Sequence, residues 1–247
     1  MEKQIDQIVS WLQEETALAK AKGLVVGVSG GLDSAVVAYL IKRAFPSDSL
    51  GVIMPLKSNP VDIKHAQVVV DTCEINYLTI DLTETHELMY KEIKDEISER
   101  HSFNEASNQM ADANLRARLR MSTLYTVATN SNYLVAGTDN LSEWHTGYFT
   151  KYGDGGVDLQ PILPFTKTEV FEMARLLGVP EEVINKKPSA DLWEGQTDEE
   201  EMGVSYDSID AYLRGEDIPS KDKELIESMH ERTEHKRNVP NHYKIEK

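Results

Sequence analysis

Apolar positions along the chain keep changing their period, and the changes divide it into alternating helices and strands. Ile5, Ile8, Val9 and Leu12 recur at helical spacing within residues 2–22, and Gly23 is the expected stop. Residues 24–28 read as a first strand and 33–44 as a helix, broken by Phe45-Pro46-Ser47-Asp48. A second strand over 50–54 runs into Pro55-Leu56-Lys57. Asn59-Pro60 then opens a helix over 60–74, with proline near the start where its missing N–H matters least. A third strand covers 77–80, a charged helix with an expected solvated face covers 83–101, and a long helix over 104–130 precedes a fourth strand at 132–136. This alternation predicts an α/β fold on a doubly wound, mostly parallel sheet with right-handed crossovers.

The second half has a looser pattern. Gly147 to Asp158, with Gly153-Asp154-Gly155-Gly156, is too rich in glycine for regular structure. Thr166 and Glu169 have the spacing of a capping box and start a helix to about Leu177, which Gly178-Val179-Pro180 ends. Residues 186–196 mix Pro, Ser, Gly and Lys, a composition suited to a mobile lid. The acidic run from Thr197 to Glu201 reads as solvated, and short helices near 205–214 and 221–235 close the chain. With no repeat, low-complexity tract or linker, one domain spanning 1–247 is the expected organisation.

Composition narrows the function more than the fold. Hydrophobic residues at 40% and charged residues at 28% fit an ordinary globular protein. The net charge of −16 argues against a polyanionic partner, so no nucleic acid is expected. The single cysteine, Cys73, sits in an apolar helical pattern and reads as a buried small side chain. No apolar run approaches the roughly 20 residues of a membrane span, and the first six residues mix acids and bases, unlike a secretory signal. No membrane partner is expected, and the cytoplasm is the expected compartment.

The chemistry is concentrated in Val25-Val26-Gly27-Val28-Ser29-Gly30-Gly31-Leu32-Asp33-Ser34-Ala35, a strand that passes through a small-residue turn into a helix. Paired glycines allow close backbone approach, the serines add hydroxyls, and the helix start supplies unpaired N–H groups and a positive dipole end. That is a phosphate cradle without the Lys-Ser/Thr of a Walker A loop or the spacing of G-x-G-x-x-G. Asp33 would repel phosphate unless a divalent cation lay between them, and Mg²⁺ suits one or two carboxylates plus phosphates. Glu143, in the turn after the fourth strand, is the candidate second carboxylate. Met54, at the end of the second strand, belongs to the same ligand-binding edge of the sheet. On the long helix Arg116 and Arg120 share a face while Arg118 points nearly opposite, and helical spacing alone leaves open which of them serves a site.

SGGLDS after an apolar strand resembles the pyrophosphate-binding motif of the ATP pyrophosphatases, which split ATP to AMP and pyrophosphate while adenylating a carboxylate or carbonyl. NLRARLRM, GTDNLSE, TGYFTKYGDGGVDLQPILPFTKTEV, KPSADLW, GQTDEEEMGVSYDSID and HKR follow in the order of the NAD synthetase family, and the chain resembles its short, ammonia-dependent members. The resemblance implies a Rossmann-like fold of the adenine-nucleotide alpha hydrolase type. It also implies the last step of NAD biosynthesis: amidation of deamido-NAD with ammonia, driven by ATP and Mg²⁺. It assigns ATP to Gly27, Val28, Ser29, Gly30, Gly31, Leu32, Asp33, Ser34, Met54, Thr138, Lys167 and Ser189, and Mg²⁺ to Asp33 and Glu143. Asp33, Glu143 and Lys167 are the expected catalytic set. Arg118, Lys151, Asp158, His235 and Lys236 are the expected dinucleotide contacts, the choice of Arg118 resting on family spacing. A homodimer with sites near its interface is implied, with the helix over 104–130 as candidate seam. The rivals are another ATP pyrophosphatase and a non-catalytic adenine-nucleotide module; AMP production separates the second from the enzymes.

Overall fold

The structure, a computed structural model, describes residues 1–189 and 197–243. The first half runs α1 (Glu2–Leu18), β1 (Gly23–Gly27), α2 (Leu32–Ala44), β2 (Ser49–Ile53), α3 (Pro60–Cys73) and β3 (Asn76–Thr79), then α4 (Thr83–Arg100), α5 (Asn108–Ser131) and β4 (Tyr133–Val135). The second half holds α6 (Leu141–Thr146), α7 (Lys167–Leu177), α8 (Glu181–Ile184), α9 (Asp198–Met202), α10 (Tyr206–Leu213), α11 (Ser220–Arg232) and α12 (Glu234–Arg237). Among the described residues the strands form one sheet in the order β3-β2-β1-β4, and every pair is parallel.

The α/β reading therefore holds, and β1 shows why. Leu24, Val25 and Val26 are fully buried because both sheet faces are covered, which calls for a continuous apolar run rather than alternation. On one face α1, α2, α3, α7 and α8 pack through Leu12, Leu40, Val69, Met173 and Val183. On the other, Ala128, Leu124 and Tyr125 of α5 cover Val25, Val52 and Val135. A smaller cluster of Met202, Tyr206, Ile209, Ile226 and Met229 joins α9, α10 and α11. Cys73 is buried, and burial pushes its thiol up to about 12.

Some local details depart from the sequence reading. The long helix begins as a 3₁₀ turn over Glu105–Ser107, where the Asn104 side chain accepts from Ala106 N–H, and only then becomes α5. Ala136 pairs in parallel with Leu159, so the glycine-rich loop is tied back to the end of β4. The helix expected to present a solvated face carries exposed Leu88, Met89, Ile93 and Ile97, and the edge strand β3 exposes Tyr77 and Leu78. Among the described residues no helix is long and apolar enough to cross a membrane.

Candidate functional site

The carboxyl end of β1 opens on a cavity of about 800 Å³, the expected ligand position in a sheet of this kind. Its floor is the turn from Gly27 to Ser34. Gly30 has φ +83°, and a Cβ there would overlap the Asp62 carbonyl of α3, so both conformation and space require glycine. Ser29 N–H donates to Ser34 Oγ at 3.2 Å, Gly31 N–H donates to Ser29 Oγ at 3.2 Å, and the two hydroxyls lie 3.0 Å apart. Gly31 is the N-cap of α2 and no side chain caps that helix, which leaves its first N–H groups beside the cavity.

Lys167 is the hub of the site. Its ammonium donates to Asp33 Oδ2 at 2.5 Å and to Glu143 Oε1 at 3.1 Å, and it lies 4.9 Å from the centre of the Tyr206 ring. The remaining carboxylate oxygens are held as well. Asn140 Nδ2 donates to Asp33 Oδ1 at 2.8 Å, and Asn140 N–H donates to Glu143 Oε2 at 3.3 Å. Glu143 is the third residue of α6 and closes a capping box with Asn140, so a single side chain both starts the helix and faces Lys167. Tyr206 OH donates to Asp198 Oδ2 at 3.0 Å and also lies 3.2 Å from Glu143 Oε1.

Burial and crowding of acids set the electrostatics. Burial, then the Asp33 charge, raise the Glu143 carboxyl to about 7 against the opposing pull of Lys167. Burial opposes the charge on Lys167, but Asp33 and Glu143 outweigh it and hold the ammonium above its ordinary range. Asp139, buried beside them, is pushed well above the carboxylate range by burial and then by Asp154, Glu143 and Asp33.

A basic cluster lines the same cavity. Arg118 of α5 donates to the Lys151 carbonyl at 3.3–3.4 Å, and Lys151 donates to the His235 carbonyl. Lys236 of α12 donates to the carbonyls of Gly147 and Phe149 at 2.8 and 2.7 Å, and burial lowers its ammonium. The cluster thus consists of cations held in place by backbone carbonyls.

Most residues singled out in the sequence meet here. Gly27, Val28, Ser29, Gly31, Leu32, Asp33, Ser34, Met54, Thr138, Glu143, Lys167 and Ser189 line the cavity, as do Arg118, Lys151, His235 and Lys236. Gly30 lies behind the lining against α3. Asp158 also stands outside it: Tyr125 OH donates to its Oδ1 at 3.0 Å and Val135 N–H to its Oδ2 at 2.8 Å. The Met54 carbonyl accepts from Arg120 at 3.4 Å, and Arg120 lines the cavity, whereas Arg116 is buried and paired with Asp112 at 2.9 Å. Of the lid loop, residues 190–196 lie outside the described residues.

Several members escaped the sequence reading. Asp198, read as part of a solvated acidic run, is buried under Tyr206. Asp62 is buried on the cavity wall with Lys186 2.5 Å away. Asn140-x-x-Glu143 has the same cap spacing as Thr166-x-x-Glu169 and was open to the same reading.

Comparison with known proteins decides the family. The NAD synthase family model matches residues 4–240. The chain belongs to the NAD synthase family. An NH3-dependent NAD+ synthetase from Alkaliphilus oremlandii is 55% identical over 99% of this chain and 98% of its own. Among solved structures, an NMN synthetase from Francisella tularensis superposes with a TM-score of 0.92 at 36% identity, covering 99% of this chain and 98% of that one. An NH3-dependent NAD synthetase from Campylobacter jejuni gives 0.76 at 27% identity, covering 98% and 99%.

Proposed function

We propose that this chain is an ammonia-dependent NAD synthetase: one domain over residues 1–247, acting in the cytoplasm, with ATP, deamido-NAD and ammonia as substrates. The observation that carries the reading is the Asp33–Lys167–Glu143 constellation beside an uncapped helix start, in one cavity with Arg118, Lys151 and Lys236. A phosphate cradle explains the first group, and an anionic acceptor explains the second.

In this reading the turn from Gly27 to Ser34 and the start of α2 bind the ATP phosphates, with Thr138, Lys167 and Ser189 as further contacts and Met54 toward the adenine. Arg118, Lys151, His235 and Lys236 hold the dinucleotide, with Asp158 assigned beside them. The nicotinate carboxylate attacks the α-phosphorus and pyrophosphate leaves. Ammonia then attacks the carbonyl carbon of the mixed anhydride, AMP leaves and a proton is lost, giving the amide. The chain's part is to orient the carboxylate, to steady the charge growing on the leaving group with N–H groups and Lys167, and to keep water from the anhydride.

Asp33 and Glu143 fit Mg²⁺. Among the described residues no three Asp, Glu, His or Cys side chains are arranged to hold a metal, and two hard carboxylates beside a phosphate cradle match an ion held by one or two carboxylates plus phosphates. Bound there, Mg²⁺ supplies Lewis-acid neutralisation of the pyrophosphate.

A homodimer is part of the proposal. Exposed apolar residues of α4 and of β3, with Met110 of α5, are surface that a second copy would cover. This moves the seam from the long helix alone to its neighbours as well.

A second reading, with deamido-NMN as acceptor, is favoured by the 0.92 TM-score to an NMN synthetase. One assay separates them: ATP, Mg²⁺ and ammonium with deamido-NAD or deamido-NMN in parallel, followed for AMP and amide, and with glutamine as the comparison nitrogen source. Faster amidation of deamido-NAD with ammonium is the expected result, and AMP release with neither acceptor sinks both readings.

A further inference from the structure

The cation at the centre of this site is a side chain. Lys167 Nζ spans the gap between Asp33 Oδ2 and Glu143 Oε1, 2.5 and 3.1 Å from the two oxygens. These are the carboxylates assigned to Mg²⁺ under the proposed function, and any role of Lys167 toward that ion rests on the same reading. Mg²⁺ needs its oxygens at about 2.0–2.1 Å in a near-octahedral set. An ammonium that already bridges both oxygens stands where such an ion would reach them, and two cations packed together in a buried site repel strongly.

We infer that the Lys167 ammonium and the divalent ion are alternative occupants of the gap between Asp33 and Glu143: the ammonium fills it before nucleotide arrives, then moves onto the nucleotide's phosphates as the ion enters. Two features of the structure suit this exchange. The backbone at Lys167 is fixed without help from its ammonium. Thr166 closes a capping box with Glu169, Lys167 N–H donates to Ser142 Oγ at 3.1 Å, and buried Asp210 accepts from Ser142 Oγ at 2.5 Å and from Thr168 N–H at 2.8 Å. Four side-chain bonds can therefore swing about an anchored Cα. The carboxylates are also held from behind, by the Asn140 side chain on Asp33 Oδ1 and by Asn140 N–H on Glu143 Oε2, so they keep their places when the ammonium leaves.

The exchange gives Lys167 opposite effects on the two ligands: it hinders free metal and helps nucleotide. The test measures Mn²⁺ binding to the full chain by electron paramagnetic resonance without nucleotide, and binding of a non-hydrolysable ATP analogue in EDTA. Lys167→Met should bind Mn²⁺ at least about tenfold tighter than the parent and the analogue at least about tenfold more weakly, while Lys167→Arg binds Mn²⁺ no tighter than the parent. A merely structural lysine would weaken both ligands together. Should Lys167→Met be unstable by itself, Mn²⁺ must restore its melting temperature, because the ion takes the ammonium's place; a variant unfolded with and without Mn²⁺ overturns the inference. Equal nucleotide-free Mn²⁺ affinity in Lys167→Met and parent also overturns it. The metal assignment itself is tested separately, since it fails if Asp33→Asn takes up Mn²⁺ as the parent does when the analogue is present.

Discussion

The phosphate turn and the basic cluster line one cavity but are built by opposite means. The turn is local in its shape: the hydrogen bonds of its serine hydroxyls join residues no more than five apart and act together with the glycine conformation, and the Asp33 side chain alone reaches far along the chain, to Asn140 and Lys167. The basic cluster is tertiary, drawn from α5, the glycine-rich loop and α12, and its cations are directed at backbone carbonyls of the other segments. A side chain in the turn can thus lose its chemistry while the backbone keeps its form. In the cluster, the groups assigned to substrate are also the groups that hold the loop.

Breaking the comparison at its chemical end gives the largest effect. Asp33→Asn removes one of two carboxylates from the charge-balancing set and should lower AMP release by about 10³-fold, the order seen when a preorganised electrostatic contact is lost. Near-normal turnover would remove Asp33 from the mechanism. Lys236→Met breaks it at the other end. Two charge-assisted hydrogen bonds, to the carbonyls of Gly147 and Phe149, are lost together. Denaturant unfolding should show a loss of about 2–3 kcal/mol alongside weaker acceptor binding. If Asp33→Asn proves the less stable of the two and Lys236→Met leaves unfolding untouched, the division between chemistry and scaffold is wrong.

The same division explains what was legible in the sequence. The turn could be read because strand, glycines and helix start are contiguous, and the sheet rule placed Glu143 at the neighbouring strand end. The place of Asp198 could not be read. Composition makes Thr197 to Glu201 look solvated, and the side chain that buries Asp198, Tyr206, also reaches Glu143 far back in the chain. The arginines show another limit. Helical periodicity separates Arg118 from Arg116 and Arg120, yet Arg118 and Arg120 both reach the cavity while Arg116 turns to Asp112. Long flexible stems carry a charged head well away from the face its Cα occupies.

Within the cluster, Lys151 sharpens the assignment to the acceptor. Its side chain is half-buried on the cavity wall and donates to the His235 carbonyl of α12. Lys151→Ala should raise KM for deamido-NAD about tenfold, some 1.4 kcal/mol, and leave KM for ATP unchanged. Steady-state kinetics with each substrate varied in turn checks this. An unchanged KM for deamido-NAD removes Lys151 from the acceptor site, and a parallel rise for ATP removes the separation of the two groups.

The smallest effect concerns how the two regions are joined. His145 of α6, two residues after Glu143, stacks on His230 of α11 with ring centres 4.1 Å apart and an interplanar angle of 18°. Tyr212 of α10 leans on the same ring, and Arg237 of α12 donates to the His145 carbonyl at 3.2 Å. Burial, then the charges of His230 and Arg237, lower the His145 imidazole to about 4. The folded protein therefore holds fewer protons at this ring than the unfolded chain between about pH 4 and 6.5, and stability rises with pH across that window. The contribution of neutral His145 is complete above pH 6.5 and is lost as the pH falls toward 4. With the ring only half-buried, the effect after solvent screening is about 1 kcal/mol. His145→Phe keeps a flat ring in the stack and cannot be protonated, so the parent should lose stability relative to this variant as the pH is lowered from 6.5 to 4. Glu143 titrates in both proteins and cancels in the difference. Parallel stability curves over that range would show that this stacked pair does not set the acid response of the contact between the two halves of the site.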